Sequence, residues 1–568
     1  MAPILLAIHN KETSLAQRMI KKILKFLWDA LIIIGIFLLF IVISLQYYVH
    51  ANDEVLKNSQ TYSSLKGNYI SKIINERILS LLSRPPKEIN YSEIYQVNYT
   101  EIENEVKFLN LSYQEEGQAQ SIVVLNYHGI VEDGFEDGYS LSVENFKAHM
   151  YALKEKGYQT ATVNDLYLFM RGEKPLPKKS IVITFDDGVR STYYYADPIL
   201  KALDYKAVMF VVTGYSFEKN NSRYYLNKEE LTQMQESGRW DIEAHSYLGH
   251  NRRLINQNDT FGPFYSNKLW IEGEERLETN EEYLKRISYD LKKAKQDIET
   301  NLNKTVMGFA LPFGDFAQRE SNYQEASIIL LEEMAKNYKM VFYQFKPAIN
   351  KDFKANYNDK ISDFYLVMRI STDTIHSPEE LLKQIESAEA IELPYAEKFD
   401  DENRWVTISG IKNITNKITL SNPKNTTLAM AYLDGSYLWR NYNYSVILDS
   451  HEAENIFLLA RFQDAANYVG CKYTNSSIQF IVVGQTKGII ERVKLSDNFL
   501  KKEAQLRMRV NENEVTCSFD NQSLQVTSEL IPSHGGVGFR VEGFQTAESQ
   551  VSFKEIKISQ LNKEWDFL

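Results

Sequence analysis

The chain has 568 residues, more than one hydrophobic core can organise, so several structural units are expected. Lys and Arg number 64 against 75 Asp and Glu, with no basic run in the folded part, which excludes the electrostatic footprint of a nucleic-acid binder. The only cysteines, Cys471 and Cys517, exclude a disulfide framework and a cysteine-based zinc site, so any metal must be held by His and carboxylates.

Residues 1–25 form a basic tail containing Lys11, Arg18, Lys21, Lys22 and Lys25. Phe26 to Tyr48 is almost continuously apolar, and Ala30 to Leu45 carries no charge. That is about the length a helix needs to cross ~30 Å of hydrocarbon. Asp53 and Glu54 follow, so the positive-inside rule predicts one transmembrane helix over 26–48, with the N-terminus inside and everything after residue 50 outside. Secretion after cleavage near Val49-His50-Ala51 is the alternative. Residues 49–118 are polar, rich in Asn, Glu, Lys and Tyr, and read as a stalk.

From Ser121 the texture changes to short β-rich runs alternating with amphipathic helices. Strands are predicted over Ser121–Tyr127, Gln159–Val163, Ser180–Phe185, Ala207–Thr213, Trp240–Ala244, Val306–Ala310, Lys339–Phe345 and Phe364–Ile370. Between them come a helix capped by Ser142 and stopped at Gly157, one capped by Asn164, one over Asp197–Leu203, and one from Asn227 with Glu230 as its capping-box partner. Helices follow at Glu281–Asn301, Ser327–Asn337 and Ser377–Ala388. Repeated βα units predict an α/β fold with a parallel sheet closed or nearly closed into a barrel.

Beyond residue 400 helices disappear and short alternating strands predict an all-β sandwich over 400–562. Trp405, Tyr437, Trp439, Tyr442 and Tyr444 form a candidate sugar platform there, with core packing the favoured reading for at least half of them. Cys471 and Cys517 fall on predicted strands and are candidates for one staple.

The most informative segment is Thr184-Phe185-Asp186-Asp187-Gly188, which follows a buried strand and so sits at the C-terminal mouth of a barrel. Adjacent carboxylates raise one another's pKa unless a cation neutralises them, so a metal ligand beside a general base is one solution. An ordinary Asp-Asp-Gly turn is the other. His245 and His250, five apart after another strand, complete a His-His-Asp set with Asp187 that leaves positions open for water and substrate. Pro312, Phe313 and Gly314 end a third strand and offer a rigid wall.

In this order and spacing the motifs resemble carbohydrate esterase family 4, the polysaccharide deacetylases, over roughly residues 121–390. The branch they are most similar to deacetylates poly-N-acetylglucosamine in biofilm matrices. Val124-Leu125-Asn126-Tyr127-His128-Gly129-Ile130, Phe146-Lys147-Ala148-His149-Met150 and the histidine spacing of five carry that likeness. The resemblance implies an incomplete (β/α)7-type barrel over 119–395 and removal of acetyl groups from an extracellular polysaccharide containing N-acetylglucosamine; separately, and with no specific motif, the C-terminal sandwich resembles laminin-G or concanavalin-like modules. Asp187, His245 and His250 would hold a divalent metal, with zinc expected, that polarises the acetamide and acidifies a bound water. Asp186 would be the general base, and His128 the acid that protonates the leaving amine. A backbone N–H, that of Phe313, would complete the oxyanion site.

The sequence departs from the family at Ala310, where many members carry an Arg that orients the base. Arg369 is the candidate replacement, an ordinary barrel-end salt bridge the alternative. Tyr127, Phe264, Tyr265, Trp270 and Arg369 are weaker substrate-binding candidates; the aromatics from Phe261 to Trp270 read equally as a glycan-gripping lid or as packing. His376 reads as solvent-facing. Peptidoglycan, chitin-like and O-acetylated glycans are alternative substrates, and a catalytically silent glycan-binding protein is the competing class.

Overall fold

The computed structural model describes residues 90–561 apart from 112–116, 133–137, 219–221, 319, 346–355, 358–363, 401–403, 423–425, 485–487, 495–502 and 544–548. The expected tail and spanning segment, 1–25 and 26–48, lie outside the described residues. Among those described, no helix is long and apolar enough to cross a membrane.

Seven parallel strands form the barrel: β1 (Ser121–Tyr127), β2 (Ser180–Phe185), β3 (Ala207–Val212), β4 (Trp240–Ser246), β5 (Gly308–Ala310), β6 (Met340–Phe345) and β7 (Tyr365–Ser371). The expectation of an incomplete barrel is corrected. Strand β1 pairs in parallel with β7 on one side and β2 on the other, matching Leu125 to Ile370 and to Ile183, so the sheet closes. Strands β1, β2 and β3 are buried on both faces, which is why they read as continuous apolar runs rather than alternating ones.

The intervening helices start where short polar side chains satisfy free N–H groups. Ser142 Oγ accepts from Asn145 N, and reciprocal capping boxes pair Asn227 with Glu230 and Thr279 with Glu282. Thr162, paired with Asp165, caps the second helix in place of the expected Asn164 and cuts the preceding strand to Gln159–Thr160. The next helix runs over Arg190–Leu203, continuing through Pro198 because burial of Tyr195, Ala196, Ile199, Leu200 and Leu203 outweighs the one lost hydrogen bond.

Part of the expected stalk lies on the barrel instead. Tyr91–Ile94 and Tyr99–Val106 are helical; Ile102 is buried, Tyr91 stacks on the Arg190 guanidinium, and Tyr151 donates to Glu105.

The C-terminal strands make two antiparallel sheets that share one core. One contains Ile418–Asn422, Ser549–Gln560, Tyr442–Glu452 and Ala504–Asn511; the other contains Leu428–Leu433, Gly536–Glu542, Asn455–Asp464 and Asn467–Tyr473. Trp405, Trp439, Tyr442 and Tyr444 are buried in this core, which removes them from the candidate sugar platform; Tyr437 is half-buried and stacks on Tyr357 of the barrel unit. Cys471 and Cys517 are bonded across the sheets, 46 residues apart.

A cross-link of that span restricts the unfolded chain. Replacing Cys471 and Cys517 together by Ala should therefore lower the stability of the sandwich by about 2–4 kcal/mol, read from its urea unfolding midpoint in the full chain.

Candidate active site

Each singled-out polar residue comes from the C-terminal end of a barrel strand. Asp186 and Asp187 follow β2, His128 follows β1, His245 ends β4, Gln344 ends β6, and Arg369 and Asp373 come from β7 and the turn after it. The backbone aims them by local irregularities. Asp187 and Gly188 both have left-handed φ, 72° and 71°, so consecutive carboxylates leave the strand in different directions. Register between β3 and β4 passes from Val211–Ala244 to Val212–Ser246, leaving His245 as the extra residue of a bulge that turns its ring into the mouth.

Asp187 Oδ1 lies 2.9 Å from His250 Nε2 and 3.4 Å from His245 Nε2. His245 Nδ1 is 2.8 Å from the Ala310 carbonyl, which can only accept, so Nδ1 carries the proton and Nε2 presents a lone pair. Asp187 Oδ1 is buried and receives no hydrogen bond. Carboxylate and imidazole donor atoms, all within 4.8 Å of one another, thus face a common point. A divalent cation fits such a set, and the Ala310 carbonyl supplies the orienting bond usual behind a metal-bound imidazole.

Asp186 has a different counter-charge. Arg369 Nη1 donates to its Oδ1 at 2.6 Å and Nη2 to its Oδ2 at 2.7 Å, with both side chains fully buried. The guanidinium also donates to Asn126 and Thr184 and lies over the Phe210 ring. Burial by itself pushes the Asp186 carboxyl up; Arg369, with smaller help from His245 and His128, overrides it and holds the pKa below the ordinary value.

His128 Nε2 stands 3.9 Å from Asp186 Oδ2, and Gln344 Nε2 lies 3.2 Å from that oxygen and 3.3 Å from the imidazole. On the far side His128 Nδ1 is 2.8 Å from Asp373 Oδ1, whose other oxygen accepts from Ser371. Burial disfavours the imidazolium, but Asp373, then Asp186 and Asp187, outweigh it and raise the pKa to about 9, so the ring holds its proton through neutral pH.

Phe313 is left-handed at φ 62°, and its ring sits 5.2 Å from that of His250 with Arg252 on it. Gly314 must lack a side chain, since a Cβ would fall 2.7 Å from Gln344 N. The wall expected from Pro312, Phe313 and Gly314 therefore stands beside the histidine cluster.

Other candidates are not brought to the mouth. Tyr127 is buried, packed on Phe146 and Phe185, with its hydroxyl 3.3 Å from His149 Nδ1. Phe264 and Tyr265 belong to the barrel core, Phe264 under Arg286 and Tyr265 bonded to Asp290, so the lid reading of these two gives way to packing. Trp270 is half-buried in a two-residue ribbon with Arg276–Leu277. Arg369 is too deeply buried to touch substrate and serves Asp186 instead. His376 is exposed, as expected. Sequence reasoning passed over Gln344 and Asp373. Asp373 had a findable signal, a carboxylate at the end of a barrel strand three residues before the histidine that drew attention instead.

A closed parallel α/β barrel with a His-His-Asp donor cluster at its C-terminal mouth defines the class of protein: a barrel protein equipped to hold a divalent cation. Residues 173–327, within the barrel, match the family model for polysaccharide deacetylases. The chain is 26% identical over 233 residues to the poly-β-1,6-N-acetyl-D-glucosamine N-deacetylase of Escherichia coli (strain K12), an alignment covering 39% of this chain and 33% of that protein. It is 27% identical over 218 residues to the enzyme of the same name from Staphylococcus aureus (strain MRSA252), covering 36% and 67% respectively. The match thus spans about a third of the length of the first relative. Among solved structures a de-N-acetylase from Aggregatibacter actinomycetemcomitans is 20% identical, with 44% of this chain and 96% of that one covered at a TM-score of 0.37.

Arg369→Gln leaves a buried carboxylate uncompensated and should destabilise the barrel by about 3–5 kcal/mol, measured by urea unfolding. Arg369 holds the Asp186 pKa down, so in the protein that still folds the acid limb of kcat/KM should move to higher pH.

Proposed function

We propose that this chain is a metal-dependent hydrolase that removes N-acetyl groups from N-acetylglucosamine units of an extracellular polysaccharide. One observation carries the reading: a donor cluster suited to a cation, Asp187, His245 and His250, stands beside a carboxylate held ionised and an imidazole held protonated, 3.9 Å apart. Amide hydrolysis needs both a base for the attacking water and an acid for the leaving amine. The names of the E. coli and S. aureus relatives favour a β-1,6-linked poly-N-acetylglucosamine as the glycan.

The roles follow from the chemistry. Asp187, His245 and His250 would hold the ion, and one carboxylate with two imidazoles suits zinc while leaving positions open. When bound, that ion polarises an acyl carbonyl and lowers the pKa of water. Asp186, kept ionised by Arg369, takes the proton of the attacking water. His128, kept protonated by Asp373, gives its proton to the departing nitrogen. Gln344 stands between the two, its amide donating to Asp186 Oδ2 at 3.2 Å. Phe313 walls the acetyl group. The glycan-binding alternative has no need of this pairing of base and acid. In the same reading, residues 26–48 anchor the chain in the membrane with the barrel outside.

Asp186→Asn keeps the shape and the ion but loses the base, so kcat should fall by ~10² to 10⁴ with KM little changed. Asp187→Ala or His245→Ala should lose both ion and activity. Amine release from β-1,6-linked N-acetylglucosamine oligomers, chitin oligomers and peptidoglycan, with and without chelator, and metal content by elemental analysis test this. Retained metal in both ligand variants would sink the assignment.

Asp373→Asn removes the charge that keeps the proton on His128. The alkaline limb of kcat/KM should then move down from about 9 toward the ordinary imidazole value, with the ion retained. An unmoved alkaline limb would count against His128 as the acid.

A further inference from the structure

Between the two histidines of the donor cluster the chain runs His245-Ser246-Tyr247-Leu248-Gly249-His250. A loop of this length has its own freedom, and each ring can reach the common point only if the backbone between them is fixed. Asp290 fixes it. It sits on the long helix Asn280–Leu302, which packs against β4, and its carboxylate is almost fully buried. Its Oδ1 accepts from Tyr247 N at 2.9 Å and its Oδ2 from Leu248 N at 2.8 Å. Both oxygens are thus spent on consecutive amides in the middle of the histidine loop. The Tyr265 hydroxyl donates to Oδ1 as well.

Neighbouring contacts close the loop from its other sides. Gly214 N donates to the Tyr247 carbonyl at 3.0 Å. A Cβ on Gly249 would come within 2.9 Å of the Phe264 and Tyr265 rings, so the loop lies flat on them. Tyr265 is itself tied by its carbonyl, which accepts from Tyr283 of the same helix at 2.6 Å. Phe264 and Tyr265, which do not form a lid, are therefore the floor beneath the histidine loop.

We infer that Asp290 is a positioning residue for the metal site, presetting the His245–His250 loop in its ligating conformation from outside the donor set. This rests on the reading of Asp187, His245 and His250 as metal ligands. Without the Asp290 carboxylate two half-buried amides lose their acceptor, and the loop is drawn off the Tyr265 floor toward water. The three donor atoms then no longer start in place, and the ion has to order them on binding, which weakens its hold. Outer partners of this kind are commonly worth 10- to 100-fold in metal affinity.

The test uses the full-length chain in detergent, stripped of metal and titrated with Zn²⁺ or Co²⁺ against a chromophoric chelator. Asp290→Ala should bind either ion ~10- to 100-fold more weakly, and Asp290→Asn, which keeps one acceptor, by an intermediate amount. The visible Co²⁺ spectrum should change in both, and excess metal should return most of kcat. Tyr265→Phe removes one donor without touching the amides and should fall between wild type and Asp290→Asn, which keeps the test decisive if the alanine variant does not fold. Asp197→Ala, which loses bonds to Arg239 and Trp240 away from the mouth, is the control for general destabilisation and should bind metal as the wild type does. Unchanged affinity and Co²⁺ spectrum in Asp290→Asn and Tyr265→Phe would overturn the inference while leaving the ligand set standing. A wild-type chain that takes up neither ion would overturn both.

Discussion

Asp186 and Asp187 are consecutive carboxylates, the first fully buried and the second partly so, at one end of a barrel, where charges a few ångströms apart repel more strongly than in water. The rest of the mouth is organised around giving each its own compensation. The left-handed turn at Asp187 and Gly188 sends the two side chains apart. Asp186 meets the Arg369 fork, a permanent charge that no proton can remove. Asp187 Oδ1 meets two imidazole nitrogens and receives no hydrogen bond, a setting that a divalent cation fits. In the proposed reading one carboxylate serves as a base and the other as a ligand, and the division is made by their partners rather than by anything in the Asp-Asp pair.

The second tier follows the same logic. His128 lies between Asp186 and Asp373, so its proton is favoured from two sides against the cost of burial. The Asp186 carboxylate is held ionised by an arginine, and the His128 imidazole protonated by an aspartate. Their pKa values are pushed in opposite directions at a separation of 3.9 Å, the arrangement that lets acid and base coexist at one pH. Ala310, at the end of β5, contributes its carbonyl to His245, and β7, two strands along the sheet, supplies the guanidinium to Asp186.

How much of this was legible in the sequence depends on the range of the signal. Strand and helix order was readable because buried strands give unbroken apolar runs and helix starts carry Ser, Thr or Asn caps. Closure of the barrel was not, since it rests on β1 pairing with β7, some 240 positions away in the chain, and no local pattern announces that partner. The donor cluster was legible because its residues end predicted strands. Gln344 was missed because an amide in the apolar run of β6 has no spacing that marks it. The aromatics stayed ambiguous for a compositional reason: a segment dense in Phe, Tyr and Trp reads the same whether the rings line a groove or fill a core. Phe264, Tyr265 and Trp405 fill cores, and Tyr127, next to His128, points the other way because successive strand residues alternate sides.

That alternation bears on why the histidine spacing of five demands more than a strand can give. A regular strand places residues 244 and 246 on one side and 245 on the other; the bulge at His245 breaks the rule once, and from Tyr247 to His250 there is no strand to hold the chain. The ring of His245 is fixed by the Ala310 carbonyl within the barrel, but His250 is fixed through the loop alone, with Phe313 against its face. A carboxylate reaching in from a helix behind the sheet gives that loop two of the backbone bonds a sheet partner would have provided. The polar mouth thus depends on an apolar floor: Tyr265, buried beneath the loop, both supports Gly249 and bonds the carboxylate that ties the amides, so core packing and donor geometry are set by the same side chains.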